Sequence, residues 1–248
     1  MKQKNRALIV GGSNGIGLAI AICLAKEQPI LIVDKVEPDY DKISVHVRPF
    51  ITFQRFDLLS DDYALFDEFS DIDTLVITAG CGKLSLFEDT SEETIINMLN
   101  LNTISVLRII KHFYSKIHSI STFRTVVMVS IAGFVSSPFF SVYGASKAAL
   151  KIFIESVNVE LKKKGITNRI LNVSPGQIKG TCFNGGVNNL SLIEPLAEEI
   201  IYRMKEGCDL FIPQYEEVFK NVLQRYYEDF RAEGEHSYDY KLLRLKEN

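Results

Sequence analysis

Ser130, Tyr143 and Lys147 are the residues of this chain best suited to act together chemically. Tyr143 and Lys147 stand four apart in Val-Tyr-Gly-Ala-Ser-Lys-Ala-Ala-Leu, a stretch that reads as helix, so their side chains share one helical face. A phenol beside a fixed ammonium loses its proton more readily than a free one. An unperturbed tyrosine titrates near about 10, and a neighbouring positive charge moves it toward working pH. Ser130 lies 13 residues before Tyr143 and closes an apolar run. A strand-end serine and a tyrosine at the start of a helix can converge on one edge of a sheet. Upstream comes a glycine-rich turn, Gly11-Gly12-Ser13-Asn14-Gly15-Ile16-Gly17. A Ser-Tyr-Lys group behind a nucleotide-binding turn suggests proton transfer coupled to hydride transfer. The plainer alternatives are an amphipathic helix pair at Tyr143 and Lys147 and a strand-end cap at Ser130.

These residues need a scaffold that brings distant segments to one edge. Residues 6–10, 30–33, 51–56, 74–78, 125–130, 169–173 and 209–212 read as strands: they are short, rich in Val, Ile and Leu, and mostly without polar alternation. Such runs suit a parallel sheet covered on both faces. Helical patterns at 15–27, 61–69, 91–118, 142–164, 192–206 and 214–231 separate them. The alternation predicts an α/β fold, a Rossmann-type doubly wound parallel sheet of about seven strands with helices on both faces. Right-handed crossovers then gather the strand C-termini on the edge where ligands bind. No repeat or linker divides the 248 residues, so a single domain is expected. Residues 176–189, rich in Gly and Asn, read as a mobile substrate loop. From about residue 232 the chain is polar and charged, which suggests a weakly ordered tail or an arm packed on a neighbouring subunit.

The turn follows an apolar strand and opens a helix. Gly11 can allow the tight bend, Gly15 can let the backbone approach a pyrophosphate, and Gly17 can permit close helix–strand packing. Ser13, Asn14 and Ile16 complete the turn, and the helix start supplies N–H groups. Asp34 comes 17 residues after Gly17, directly after the second strand. A carboxylate there can accept bonds from both hydroxyls of an adenosine ribose and would repel the extra phosphate of NADP. NAD is therefore favoured over NADP, although Lys35 could weaken the preference. Asp57 can accept from an adenine amino group with Leu58 beneath the ring, or serve as a helix N-cap. Thr78-Ala79-Gly80 ends the fourth strand, where Ala79 and Gly80 would let the chain run against the cofactor ribose.

With these residues in order and at compatible spacing, the sequence resembles the short-chain dehydrogenase/reductase family from about Arg6 to Thr181. The resemblance rests on Gly-x-x-x-Gly-Ile-Gly, Asp34, Asp57, Thr-Ala-Gly, Asn102 in Asn-Leu-Asn-Thr-Ile-Ser, Ser130, Tyr-x-x-x-Lys and Pro175-Gly176. It implies that Tyr143 is the general acid/base and that Lys147 lowers its pKa and bonds the nicotinamide ribose. It implies further that Ser130 holds the substrate oxygen and that Asn102 holds a water in a proton relay; Asn102 could instead be a satisfied polar residue at a helix kink. Pro175 and Gly176 would border the nicotinamide, backbone around Ile178 would bind its amide, and Thr181 would contact the amide or phosphate. Three departures stand out. Val10 replaces a frequent threonine, Ile77-Thr78-Ala79-Gly80 lacks both usual asparagines, and the end, Cys-Asp-Leu-Phe-Ile-Pro, is not the common one.

The implied activity is an NAD(P)-dependent oxidoreductase interconverting a secondary alcohol and a ketone. A nucleotide-binding sensor or scaffold without turnover is the competing class. Phe134, Phe139, Phe140 and Phe183 suggest a largely apolar substrate pocket. The formal net charge of −3 gives no support to nucleic-acid binding. No apolar stretch reaches membrane-span length, and no signal peptide is visible. Cys23, Cys81, Cys182 and Cys208 lack metal-ligand spacing and read as reduced thiols of a cytoplasmic protein, with Cys81 or Cys182 as a minor candidate nucleophile. His46, His112, His118 and His236 show no ligand spacing either, so no metal is expected. The resemblance implies a homodimer or homotetramer paired through the helices at 91–118 and 142–164.

Overall fold

The computed structural model describes residues 5–181, 183 and 187–246. Seven strands form one sheet: β1 (Arg6–Val10), β2 (Ile30–Asp34), β3 (Ile51–Arg55), β4 (Ile72–Ile77), β5 (Arg124–Met128), β6 (Ile170–Val173) and β7 (Leu210–Phe211). Their order is β3-β2-β1-β4-β5-β6-β7, and every pairing is parallel. The chain reverses direction across the sheet between β1 and β4, which opens a crevice beyond their C-terminal ends. The doubly wound architecture expected from the alternating pattern is thus present.

Helices cover both faces. They are α1 (Gly15–Ala25), α2 (Glu92–Leu99), α3 (Ser105–Ile117), α4 (Ser141–Lys163), α5 (Leu190–Lys205), α6 (Lys220–Glu228) and α7 (Phe230–Lys246). Successive strand residues point to opposite faces, so β1 divides its side chains between two cores. Leu8 and Val10 join Ile109, Phe113, Leu150 and Ile154 on one face. Ala7 and Ile9 join Leu18, Ile20, Ile193 and Ile200 on the other. This explains why the central strands lack polar alternation: neither of their faces meets water.

Three segments depart from the sequence reading. Residues 61–69, expected as an α-helix, contain a 3-10 helix at Tyr63–Glu68, entered through Asp62, whose Oδ1 accepts from Ala64 N at 3.0 Å. With three residues per turn, Tyr63, Phe66 and Phe69 fall on one side, and all three are buried in the first core. The long helix expected at 91–118 is interrupted by a π-helical turn at Asn100–Ile104. Residues 232–246, part of the segment read as a weakly ordered tail or an arm on a neighbour, lie in α7, which packs on the same chain. Arg225 of α6 pairs with the buried Glu233 at 2.6 Å, and Lys241 bonds Ser137 Oγ at 2.7 Å. In the loop read as mobile, residues 182 and 184–186, including Cys182, lie outside the described residues.

Candidate active site

The glycine turn is built as its spacing implies. Gly11 adopts a left-handed φ of 84°, and a Cβ there would meet Ala79 N at 2.3 Å. A Cβ on Gly17 would strike Gly11 O at 2.3 Å and Thr78 Oγ1 at 2.4 Å, so α1 can pack this closely only without a side chain. Thr78 stands where the family pattern carries asparagine, and its Oγ1 donates to Gly11 O at 2.9 Å. Thr78 thus ties the end of β4 to the glycine turn.

The turn also fits a dinucleotide. Gly15 has a φ of 53°, and a Cβ placed on it meets open space. Asn14 precedes α1 in extended conformation and gives the helix no side-chain cap. Amides at an uncapped helix start suit a pyrophosphate. Ile16, next in the turn, packs against the second core. Asp34 binds the turn directly: its Oδ2 accepts from Ser13 N at 3.0 Å and its Oδ1 from Lys35 N at 2.7 Å. Ser13 Oγ adds a bond to Val36 O. Lys35, itself largely exposed, pairs with Asp57, Nζ to Oδ2 at 2.9 Å. The other Asp57 oxygen accepts from Leu59 N at 3.0 Å. That backbone bond, then Lys35, holds the Asp57 carboxyl below its ordinary range. Leu58 packs beside this acid against the first core, and its carbonyl accepts from Tyr63 Oη at 2.9 Å.

The other half assembles around α4. Ser130 follows β5 and accepts from Ala132 N at 3.2 Å, capping the single turn Ile131–Gly133. Its hydroxyl donates to Pro175 O at 3.4 Å, which ties the ends of β5 and β6 together. Gly133 presses on α4 at Lys147, where a Cβ would lie 2.7 Å from the Lys147 carbonyl carbon. Lys147 is only 4% exposed, and its Nζ donates to Met128 O at 2.9 Å. Burial pushes this ammonium down to about 8. It lies 5.7 Å from the Tyr143 ring centroid. The expectation that Tyr143 titrates low is not met in this geometry. Burial raises the phenol above its ordinary value, and the hydrogen bond from Ser130 only partly offsets this. Tyr143 nonetheless lies beside both Ser130, whose hydroxyl acts on its titration, and Lys147.

Asn102 lies in the π turn and is fully buried. Its Oδ1 accepts from Cys81 N at 2.8 Å, while its Nδ2 donates to Cys81 O at 2.8 Å and to Ser146 Oγ at 3.1 Å. The side chain therefore has both amide atoms bonded within the protein, as in a satisfied polar residue at a helix kink. It clamps the chain just after Ala79-Gly80, and a Cβ on Gly80 would lie 3.2 Å from Asn102 Oδ1 and 3.5 Å from Lys147 Nζ. Cys81 is an exposed free cysteine whose thiol is raised by partial desolvation, against the lowering effect of Lys147.

The remaining expected residues border this group. Pro175 contacts Ser130 as above. Gly176 is pressed by Phe219, whose ring a Cβ would meet at 2.5 Å. Thr181 Oγ1 donates to Ile178 O at 3.0 Å. Of the four phenylalanines proposed for the pocket, Phe140 and Phe183 each lie 5.5 Å from Tyr143 between ring centroids. Phe139 instead packs on Tyr238 of α7, and Phe134 faces Lys151. Sequence reasoning missed Thr78, Ser146, Tyr238 and Lys241. The first two were in quoted motifs but not singled out, and nothing local marks the other two, whose contacts cross about a hundred residues of chain.

Residues 5–189 match the short chain dehydrogenase family. The chain is similar to an uncharacterized oxidoreductase of Staphylococcus epidermidis, with 26% identity over 81% of this chain and 90% of that one. It is also similar to the NADP-dependent (R)-specific alcohol dehydrogenase of Lentilactobacillus kefiri, at 29% identity over 70% of this chain and 73% of that one. A short chain dehydrogenase/reductase from Burkholderia phymatum in complex with NAD has the same fold, with a TM-score of 0.76 and 16% identity, over 94% of this chain and 96% of that structure.

Proposed function

This chain belongs to the short chain dehydrogenase family, and from that premise we propose that it is a nicotinamide-dependent oxidoreductase interconverting a secondary alcohol and a ketone. The observation carrying this reading is the convergence of Ser130, Tyr143 and Lys147 with the Asn102 clamp beside the glycine turn. Nicotinamide, when bound, supplies or accepts the hydride at the substrate carbon. Tyr143 gives a proton to the carbonyl oxygen in reduction and takes it back in oxidation. Its raised pKa keeps the phenol protonated at neutral pH, the form that serves the reductive direction. Ser130 holds the same oxygen by hydrogen bonding. Lys147 keeps a buried cation beside the phenol and would bond a ribose hydroxyl of the bound nucleotide, and Asn102 positions the backbone after Gly80. Pro175, Gly176, Ile178 and Thr181 border the nicotinamide end. Ala79 and Gly80 border its ribose, and Asp57 and Leu58 the adenine. The whole chain works as one catalytic domain.

NAD is the preferred cofactor in this reading, because the Asp34 carboxylate at the end of β2 beside the glycine turn would repel the second phosphate of NADP, and its near cation Lys35 is engaged by Asp57. The alcohol dehydrogenase relative is NADP-dependent, so the comparison of the two nucleotides is informative. Turnover with NADP equal to that with NAD would remove the role given to Asp34. The substrate is a small, largely apolar carbonyl or alcohol, consistent with Phe140 and Phe183 around Tyr143.

Tyr143→Phe tests the central claim. It deletes one oxygen and keeps the ring packing. Hydride transfer, followed by cofactor absorbance over a panel of ketones and alcohols, should fall by about a hundredfold to ten-thousandfold. Nucleotide binding should be retained. Undiminished turnover in this variant would refute the assignment, and no turnover by the wild type across the panel would favour a nucleotide sensor.

A further inference from the structure

Helix α7 lies across the segment that joins Ser130 to Tyr143. Residues 134–140 run from the single turn after Ser130 to the start of α4. Phe139 in this segment holds a left-handed φ of 65°, a conformation that residues with side chains rarely adopt, so something must keep it there. Its carbonyl accepts from Ser85 N at 2.9 Å, and its ring packs on Tyr238 of α7 with centroids 4.8 Å apart, leaving Phe139 only 6% exposed. Lys241, one turn further along α7, donates to Ser137 Oγ at 2.7 Å and to Pro138 O at 2.9 Å. Its Nζ also lies 5.4 Å from the centroid of Phe140. Phe140 is the ring that packs on Tyr143. The approach is close: a Cβ on Gly234 would sit 3.1 Å from Ser136 Oγ.

Lys241 is unlike a surface lysine. Both its acceptors are uncharged, and burial pushes its ammonium down to about 8. Placing a cation there is unfavourable in itself. The contacts it makes all fall on the segment before Tyr143, so its effect is concentrated on the shape of that segment. We propose that Lys241 and Tyr238 are positioning residues that clamp residues 137–140 and, through Phe140, set the orientation of the Tyr143 phenol. This inference rests on the oxidoreductase reading for its kinetic consequence, although the clamp itself is a structural claim.

The test uses the full chain with Lys241→Met, which keeps the length but loses the donors, Tyr238→Ala, which removes the ring, and Lys241→Arg. Hydrogen exchange should quicken within residues 134–141 in the first two variants while that of α1 is unchanged. Their kcat/KM for a carbonyl substrate should fall by about tenfold, mainly in kcat, as misplacement of a reacting group predicts. The Kd for the nucleotide should stay within about twofold, because the glycine turn lies at β1 and β4. Lys241→Arg, able to donate to both acceptors, should recover most of the rate. Should Lys241→Met fail to fold, Tyr238→Ala probes the same clamp from its aromatic side. Wild-type exchange in residues 134–141 in the folded variants overturns the clamp. Faster exchange with wild-type kcat overturns its link to Tyr143. A wild type inactive on the whole substrate panel would defeat the oxidoreductase reading instead, and exchange would still decide whether the clamp exists.

Discussion

Tyr143 and Lys147 share a helix face, as four-residue spacing requires, but spacing says nothing of burial. Once folded, Lys147 spends a donor on Met128 O and the phenol is enclosed by Phe140 and Phe183. Withdrawal from water then outweighs the lowering effect of the Ser130 hydroxyl, and Tyr143 holds its proton. The same withdrawal makes a measurable pH dependence at Lys147. Its folded pKa of about 8 lies below its ordinary value of 10.5. Above pH 8 the unfolded chain therefore binds more protons at this group than the folded chain, so the group's contribution to stability rises with pH. Below pH 8 the cost of burying the cation is constant. Denaturant titrations of wild type and Lys147→Met at pH 7 to 9 should show the wild type gaining relative to the variant as pH increases. A flat difference would mean that the ammonium is better solvated than its enclosure implies.

The break in the long helix is decided by one side chain. Residues 91–118 carry a helical pattern throughout, opened by Ser91, whose Oγ accepts from Thr94 N at 3.2 Å. Yet Asn102 uses its whole amide on Cys81 and Ser146, and the surrounding turn widens to a π-helix. Asn102→Ala removes both bonds to the Cys81 backbone and the bond to the buried Ser146 Oγ. The expected loss is about 1–3 kcal/mol in equilibrium unfolding, from the polar groups left without these partners. Turnover should fall together with stability, since the chain after Gly80 runs beside Lys147. A loss below about 1 kcal/mol would show that other groups or water replace the clamp. The 3-10 helix at Tyr63–Glu68 was in principle legible, because aromatics at 63, 66 and 69 repeat every three residues. The tail was not, because α7 is stabilised by contacts with residues 136–140, about a hundred positions away.

At the scale of the molecule, the two cores hold the sheet edge on which both halves of the site meet. A truncation such as Ile109→Ala, deep in the first core, should cost roughly 2–5 kcal/mol without touching the site. Assembly is read differently from the structure than from the sequence. On the helices expected to pair subunits, Val106, Ile110, Phe113, Leu150, Ile154 and Val157 turn into the chain's own core. Ile96, Ile104, Ile152 and Val159 remain exposed on the same helices. We infer that these carry the pairing of a homodimer or homotetramer. Ile152→Glu with Val159→Glu should weaken association at least about a hundredfold in sedimentation experiments, given the transfer energy of each side chain. A wild type that sediments as a monomer at high concentration would count against this. Among the described residues, no helix is long and apolar enough to cross a membrane.

Sequence by itself determined the strand and helix alternation, the parallel sheet, the glycine turn and the order of Asp34, Asn102, Ser130, Tyr143 and Lys147, because these depend on local periodicity and on residue types that few other roles require. Tertiary structure alone decided how each group is solvated and restrained: the proton held on Tyr143, Lys35 drawn to Asp57, the Asn102 clamp and the hold of α7 on the segment before Tyr143. These depend on which distant atoms exclude water from a side chain, and distance along the chain carries no such information.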